Sequence, residues 1–393
     1  MEECKPVLNT GLRDVVVAST KVSDVNGDLG KLIYRGYLVK DLAENATFEE
    51  VAHLLLYEKL PDEKELEAFK AQLIAERPVP PQMIAALKTQ PRDALPMDIF
   101  QACAALLANY DPDVRKPASR EASLRMAIRL IAKLPTVLAA FDRIRNNNEP
   151  IEPKSDLSHA ANFLYMLNGK TPDEEVGRFF DVCLVLHAEH SFNASTFAAR
   201  EVASTTAHIY AAVSAAIGSL SGALHGGANT RVMNMLLKIG SVDAVEKYIS
   251  DELTAGRKIM GLGHAVYNVD DPRATIIAPM SEKMGKRLGD TRWYDISEEL
   301  EKKAKEAFKK RKNMDIFVNV DFYSASLYYY MGIAVDLFTP IFAISRIAGW
   351  SAHVIEEQFA DAAPKPMLYR PESKYIGDYC GPNECSFVPM EKR

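Results

Sequence analysis

The chain has 393 residues, 48% of them hydrophobic and 25% charged, with a net charge of −6 at neutral pH. That length allows about two domains with large cores, and the acidic balance excludes a general affinity for nucleic acid or an anionic membrane, so an anionic substrate must be held by local cations. Cys4, Cys103, Cys183, Cys380 and Cys385 are too scattered for a disulfide framework, and no basic-apolar leader or ~18-residue apolar run is found, so a reducing cytoplasm is the expected setting.

In chain order, LRDVVVASTKVSDVNGDLGKLIYRGY reads as extended segments around the Asn26-Gly27 turn signal. Past Tyr37 the apolar spacing is helical almost throughout. TFEEVAHLLLYEKLP opens on the capping-box pair Thr47 and Glu50 and closes at Pro61, and DEKELEAFKAQLIAE keeps its apolar residues three and four apart. RPVPPQ and NNNEPIEPKSD read as connections between helices. Residues 203–220, ASTTAHIYAAVSAAIGSL, read as one helix whose small side chains suit a helix-on-helix core better than a membrane. EELEKKAKEAFKKRKN reads as a solvated amphipathic helix. The expected fold is mainly α-helical with a small β-ribbon at its start.

Four stretches could carry chemistry. LHAEHSFNAST, 186–196, sets His187 and His190 three apart on one helical face; zincins space their histidines by four, so packing or substrate hydrogen bonding is favoured over a metal-dependent hydrolase. SGALHGGANTRVMNMLLKIG, 221–240, places His225 before two glycines at the mouth of a helix expected from about Asn229 to a stop at Gly240. Beside a helix N-terminus the imidazolium is disfavoured, so His225 reads either as a neutral hydrogen-bond donor to a developing negative charge or as a loop histidine fitted by glycines.

KIMGLGHAVYNVDDPRA, 258–274, has Gly261 and Gly263 leading into His264, with no strand-helix unit to make it a dinucleotide fingerprint. Asp271-Pro272 opens a helix and puts Arg273 in the first turn, where a cation costs up to ~1 kcal/mol unless it meets an anion. In IFVNVDFYSASLYYYMG, 316–332, Asp321 is either a helix cap or a partly desolvated carboxylate basic enough to take a proton. Arg346 in AISRIAGW and Arg370 in YRPESKY are the remaining cations of interest. With no phosphate-binding lysine loop and no nucleophile elbow, neutral donors, one carboxylate and several arginines suit carbon–carbon bond chemistry on an anionic substrate.

LHGGAN, GHAVYNVDDPRA, NVDFYSAS and LFTPIFAISRIAGW, in that order and spacing, resemble the citrate synthase family, and the likeness runs from LIYRGY at residues 32–37 to FVPMEKR at the C-terminus. The resemblance implies a mainly α-helical homodimer, with a large domain of residues 1–222 and 324–393 and a small domain of residues 223–323 that close over oxaloacetate before acetyl-CoA reacts. It implies that His225 donates to the acetyl-CoA carbonyl, that His264 donates to the oxaloacetate carbonyl, and that Asp321 removes the methyl proton. It assigns His190, Arg273, Arg346 and, from across the dimer, Arg370 to oxaloacetate. No metal or other cofactor is implied, acetyl-CoA being a substrate. Two departures stand out. Asn268 occupies a position where many members have a base for a coenzyme A phosphate, a task that Arg257 or Lys258 would take over here. Ala325 replaces a frequent glycine, and both features also occur in relatives that make 2-methylcitrate from propionyl-CoA. A non-catalytic scaffold would be expected to have lost His225, His264 or Asp321, and all three are present.

Overall fold

The computed structural model describes residues 11–12, 15–264, 266–377, 387 and 389–392, so Cys4, Cys380 and Cys385 lie outside the described residues. It opens with a three-stranded antiparallel sheet in the order β1 (Ser23–Asn26), β2 (Lys31–Tyr34), β3 (Tyr37–Leu38). In it Ser23 pairs with Tyr34 and Asn26 with Lys31 across the Gly27–Gly30 turn. Helices follow: α1 (Val39–Asn45), α2 (Phe48–Tyr57), α3 (Glu63–Glu76), α4 (Pro81–Lys88), α5 (Pro96–Leu107) and α6 (Arg120–Arg145). Next come α7 (His159–Asn168), α8 (Glu174–His187), α9 (Ala194–Ser204), α10 (Ile209–Ser221) and α11 (Ala228–Ile239). The series ends with α12 (Val245–Thr254), α13 (Pro272–Leu288), α14 (Arg292–Lys312), α15 (Val320–Tyr330) and α16 (Phe338–Phe359). The mainly α-helical fold with an initial β-ribbon is therefore observed.

Local chemistry sets the helix ends. In α2 the Glu50 carboxylate accepts from the Thr47 backbone at 2.7 Å while the Thr47 hydroxyl accepts from the Glu50 backbone at 3.4 Å, the reciprocal pair expected from TFEE. Asp62 and Glu65 repeat the device on α3. The stretch 203–220 departs from expectation. It is not one helix: α9 ends at Ser204, Thr206 takes a positive φ of 64°, and α10 starts at Ile209. His208 is the reason for the second start, because its Nδ1 accepts from the Ala211 N–H at 3.2 Å and caps α10. No helix among the described residues is long and apolar enough to cross a membrane.

The axis of the molecule is α16, most of whose side chains are buried; it packs against α2, α6, α8, α9 and α10. A second set, α11 to α15, packs within itself, α15 lying on both α11 and α13. This set covers most of residues 223–323; Gly222 terminates α10, and Tyr323 lies inside α15. The apolar core is nonetheless continuous from Val22 to Ile355.

Gly349 shows how closely α16 approaches the loop after α8. A β-carbon on it would sit 2.2 Å from the Glu189 carboxylate and 2.3 Å from the Ala188 carbonyl. Neither group can retreat easily, since both are buried in the core. Gly349→Ala is therefore expected to lower the unfolding free energy by about 1–3 kcal/mol, as overpacking does, measured by urea denaturation. A loss under about 0.5 kcal/mol would mean that the α8–α16 contact yields freely.

Candidate active site

A cavity of 1470 Å³ opens between the loop after α8, the N-termini of α11 and α15, the 256–266 segment and α16. His190, His225, His264, Arg273, Asp321 and Arg346 all line it, so six of the residues singled out from sequence meet in one place. Arg231, Arg257, Lys258, Arg273, Lys312 and Arg346 face it against only Asp24 and Asp321, a cationic interior in a chain of net charge −6. Such a cavity favours an anionic ligand.

His225 sits in the turn between α10 and α11. The helix begins at Ala228, within one residue of the expected start, and no side chain caps it: Gly227 takes a positive φ of 71° instead. Gly226 is required because a β-carbon would lie 1.8 Å from the Leu220 carbonyl. Arg231, one turn into α11, reaches back to the Ala223 and Gly226 carbonyls at 2.7 and 3.0 Å and holds the turn closed.

The Ser195 backbone N–H donates to His225 Nε2 at 3.2 Å, and the Ser195 hydroxyl lies 2.8 Å from the same nitrogen. A backbone N–H can only donate, so Nε2 is an acceptor and the ring proton belongs on Nδ1. Ser195 is itself fixed by Asn193 Oδ1, which accepts from its N–H at 3.1 Å and its hydroxyl at 2.7 Å, and by the indole N–H of Trp350 at 3.2 Å. Burial, and then the charge of Arg346, lower the His225 imidazole to a pKa of about 4. Burial, rather than the helix terminus considered from sequence, is the leading cause of that lowering.

His264 is held in the mirror sense. Its Nδ1 accepts from the N–H groups of Val266 at 3.0 Å and Tyr267 at 3.1 Å, which leaves the proton on Nε2. Burial and the Arg273 charge bring it, too, to about 4. His190 is buried, with Nε2 at 3.2 Å from the Tyr267 hydroxyl, and burial followed by the Arg273 charge holds it well below the ordinary range. The His190 and His264 ring centres are 5.4 Å apart. His187 does not join them: α8 stops at that residue, and its buried ring turns back to the Cys183 carbonyl at 2.7 Å. The shared helical face read from the spacing is absent, and among the described residues no group of three or more His, Cys, Asp or Glu side chains is gathered as metal ligands would be.

Asp321 does not cap α15; Asn319 does, its Oδ1 accepting from the Asp321 N–H at 3.1 Å. The Asp321 carboxylate is left for the cavity. Burial raises it to about 6 against the lowering charge of Arg273. Asn319 also links the two halves of the site, donating through Nδ2 to the Gly263 carbonyl at 3.2 Å, while Leu262 bridges Val318 in antiparallel fashion. The backbone leading to His264 is therefore bonded to the backbone leading to Asp321.

The arginines differ. Arg273 sits in the first turn of α13 as expected, and the anion it meets here is Asp271, the cap of that helix, through Nε at 2.9 Å and Nη2 at 2.7 Å. Arg346 has no carboxylate within ion-pair distance among the described residues. Its Nε donates to the His187 carbonyl at 2.6 Å and its guanidinium lies 4.6 Å from the centre of the Phe342 ring. Burial lowers it to about 10, so it remains a cation at neutral pH.

Arg257 and Lys258 face the cavity as well, Arg257 already paired with Glu252 at 2.7 and 2.9 Å. Arg370 is exposed and does not line the cavity of its own chain. Asn268 bonds to Asp28, and Ala325 is fully buried without lining the cavity. Sequence reading missed Ser195, Tyr267 and Arg231, and saw Asp271 only as a cap; their roles come from contacts that no spacing reports.

The sequence profile described as "Citrate synthase, C-terminal domain" matches residues 11–372. The chain is 43% identical over 390 residues to a citrate synthase of Haloferax volcanii, covering 98% of this chain and 99% of that protein. It is 39% identical to a 2-methylcitrate synthase of Shewanella oneidensis over 96% of this chain and 97% of that one. Among solved structures, citrate synthase of Thermoplasma acidophilum in a ternary complex with carboxymethyl coenzyme A and oxaloacetate superimposes with a TM-score of 0.90 at 30% identity, covering 98% of this chain and 100% of that one.

The hydrogen bonds fix opposite tautomers. ¹⁵N NMR of the histidines at pH 7 is expected to find His225 neutral with its proton on Nδ1 and His264 neutral with its proton on Nε2, each charging only near pH 4. An imidazolium signal from either at pH 7 would contradict this account.

Proposed function

This chain belongs to the citrate synthase family, enzymes that condense acetyl-CoA with oxaloacetate, and from that premise we propose that His225, His264 and Asp321 carry the condensation. The observation that supports this reading most is the pair of oppositely protonated, neutral imidazoles facing one cavity with a carboxylate whose pKa is about 6. Asp321 removes a proton from the acetyl methyl group while His225 Nδ1–H donates to the thioester oxygen. One such donor in a dry site is worth about 2.7–4 kcal/mol of barrier, and a positioned base adds about 10²–10⁴-fold. The enolate carbon then attacks the oxaloacetate ketone, whose oxygen receives the hydrogen bond of His264 Nε2–H. As it becomes an alkoxide that oxygen takes up one proton, in exchange for the one Asp321 removed, to give the hydroxyl of the citryl thioester. Water cleaves the C–S bond of the resulting citryl thioester, releasing coenzyme A and citrate.

Arg346 and Arg273, with His190, bind the oxaloacetate carboxylates in this proposal, and Arg370 of the partner subunit completes the set in a homodimer. Bidentate guanidinium–carboxylate geometry accounts for arginine rather than lysine. The exposed Arg370, which has no part in its own chain's cavity, agrees with that assignment. Residues 223–323 act as the small domain that closes over bound oxaloacetate. Lys258 and Arg257 meet the coenzyme A phosphates. The reaction calls for no metal or organic cofactor, and its place is the tricarboxylic acid cycle in the cytoplasm.

Asp321→Asn is expected to leave the oxaloacetate dissociation constant within about threefold while lowering kcat by at least about 10³-fold, measured by calorimetry and thiol release. Near-normal turnover would remove Asp321 from the mechanism. Because the base must be ionised, kcat/KM in the parent enzyme falls as pH drops through about 6, and an acid limb near 4 would assign the titration to a histidine instead. In the same thiol-release assay acetyl-CoA is expected to have the larger kcat/KM; a preference of about tenfold or more for propionyl-CoA, more than one methylene in a tolerant pocket gives by chance, would make 2-methylcitrate the product.

A further inference from the structure

The β1–β2 hairpin of the three-stranded sheet is hydrogen-bonded to the loops of two histidines. At its base, the cross-strand partners Ser23 and Tyr34 both bind Glu189, the residue before His190. Ser23 Oγ donates to Glu189 Oε1 at 2.8 Å and accepts from the Ser191 N–H at 3.0 Å; the Tyr34 hydroxyl donates to the Glu189 carbonyl at 2.9 Å. His190 is thus gripped on both sides.

The tip of the ribbon reaches the other loop. The Gly27 carbonyl accepts from the Asn268 N–H at 3.0 Å, and Asp28 Oδ1 accepts from Asn268 Nδ2 at 2.7 Å. Gly27 lies so close that a β-carbon would stand 2.0 Å from the Val266 carbonyl, and one on Gly30 would stand 2.8 Å from the Val269 side chain. Val266 and Tyr267 are the residues whose N–H groups hold His264 Nδ1. One ribbon, four residues or about 13 Å long at ~3.3 Å per residue, therefore touches the mounts of both rings.

We propose that the β1–β2 ribbon is a splint that sets His190 and His264 relative to each other, with Asn268 as the residue through which its tip holds the His264 loop. The inference rests on the assignment of both histidines to oxaloacetate. In it Asn268 is a positioning residue that acts through the Val266–Tyr267 backbone and has no contact with coenzyme A. A splint of this kind acts on the keto-acid substrate and leaves the thioester substrate's affinity alone.

The test is steady-state kinetics in both substrates, with thermal melting of each variant. Asn268→Ala and Asp28→Ala are each expected to raise the oxaloacetate KM about three- to tenfold, the loss of one hydrogen bond, with the acetyl-CoA KM within about twofold. The double variant is expected to be no worse than either single one, since both remove the same bond. Asp28→Asn keeps the acceptor oxygen and should stay within about twofold of the parent. Gly27→Ala, which must displace the Val266 carbonyl, is expected to raise the oxaloacetate KM by about tenfold or more and to lower kcat. Should Gly27→Ala fail to fold, Asn268→Ala decides. A rise in the acetyl-CoA KM alone, or unchanged kinetics in both Asn268→Ala and Asp28→Ala, would overturn the splint. His264→Ala run alongside separates the two levels: loss of its turnover with unaffected tip variants sinks the splint only, whereas retained turnover sinks the assignment beneath it.

Discussion

The site depends on a fixed donor behind each ring. A neutral imidazole donates from one nitrogen and accepts at the other, and a backbone N–H, which can only donate, fixes which nitrogen does which. Ser195 supplies that group for His225, and Val266 with Tyr267 supplies it for His264. Much of the surrounding structure serves to keep these amides in place. Asn193 and Trp350 hold Ser195, Arg231 closes the His225 turn, and Asn319 ties the segment leading to His264 to the helix that bears Asp321. Opposite tautomers on the two rings follow from which nitrogen the backbone reaches.

The charged groups are arranged with the same economy. Arg273 brings a counter-ion of its own in Asp271, which also caps the helix, so its burial is balanced before any ligand arrives. Arg346 meets, among the described residues, a carbonyl and a ring face but no carboxylate at ion-pair distance, and burial lowers its pKa against the more distant charge of Glu189. A buried cation without a partner carboxylate destabilises the empty protein, and a ligand carboxylate relieves it. The affinity of the cavity for an anion is in this sense stored in the fold. Six cationic side chains around a single cavity in an acidic chain express the same bias over a longer range.

Legibility from sequence followed the range of the interactions. Capping pairs such as Thr47 with Glu50, the Asp271-Pro272 helix start and the ribbon about Asn26-Gly27 are decided within four residues, and each was readable. The single helix read over 203–220 failed because alanine and serine fill both α9 and α10 without marking the break, and His208 works as a cap that residue type rarely signals. The His187–His190 face failed because a helix was extended past its true end. Residues paired with a distant segment were beyond reach. Ser195 serves His225 from thirty positions away, and Asn268 bonds to a turn 240 positions earlier. The Gly-Trp of RIAGW is visible in the sequence, yet its reason, the contact of Gly349 with Glu189 and Ala188, belongs to the packed core alone.

The order of events in the proposed mechanism also has an electrostatic basis. Burial moves His190, His225, His264 and Asp321 toward their uncharged forms, while Arg273 and Arg346 keep their charge. Those same arginines pull the Asp321 pKa down, against the burial that pushes it up. A dianion seated on them cancels the pull, and its own charge adds a push in the other direction. In the proposed mechanism, binding of the keto acid therefore raises the basicity of Asp321 before the thioester enters. The cavity thus gains basicity, in that mechanism, at the carboxylate that takes the carbon-bound proton, once the first substrate is in place.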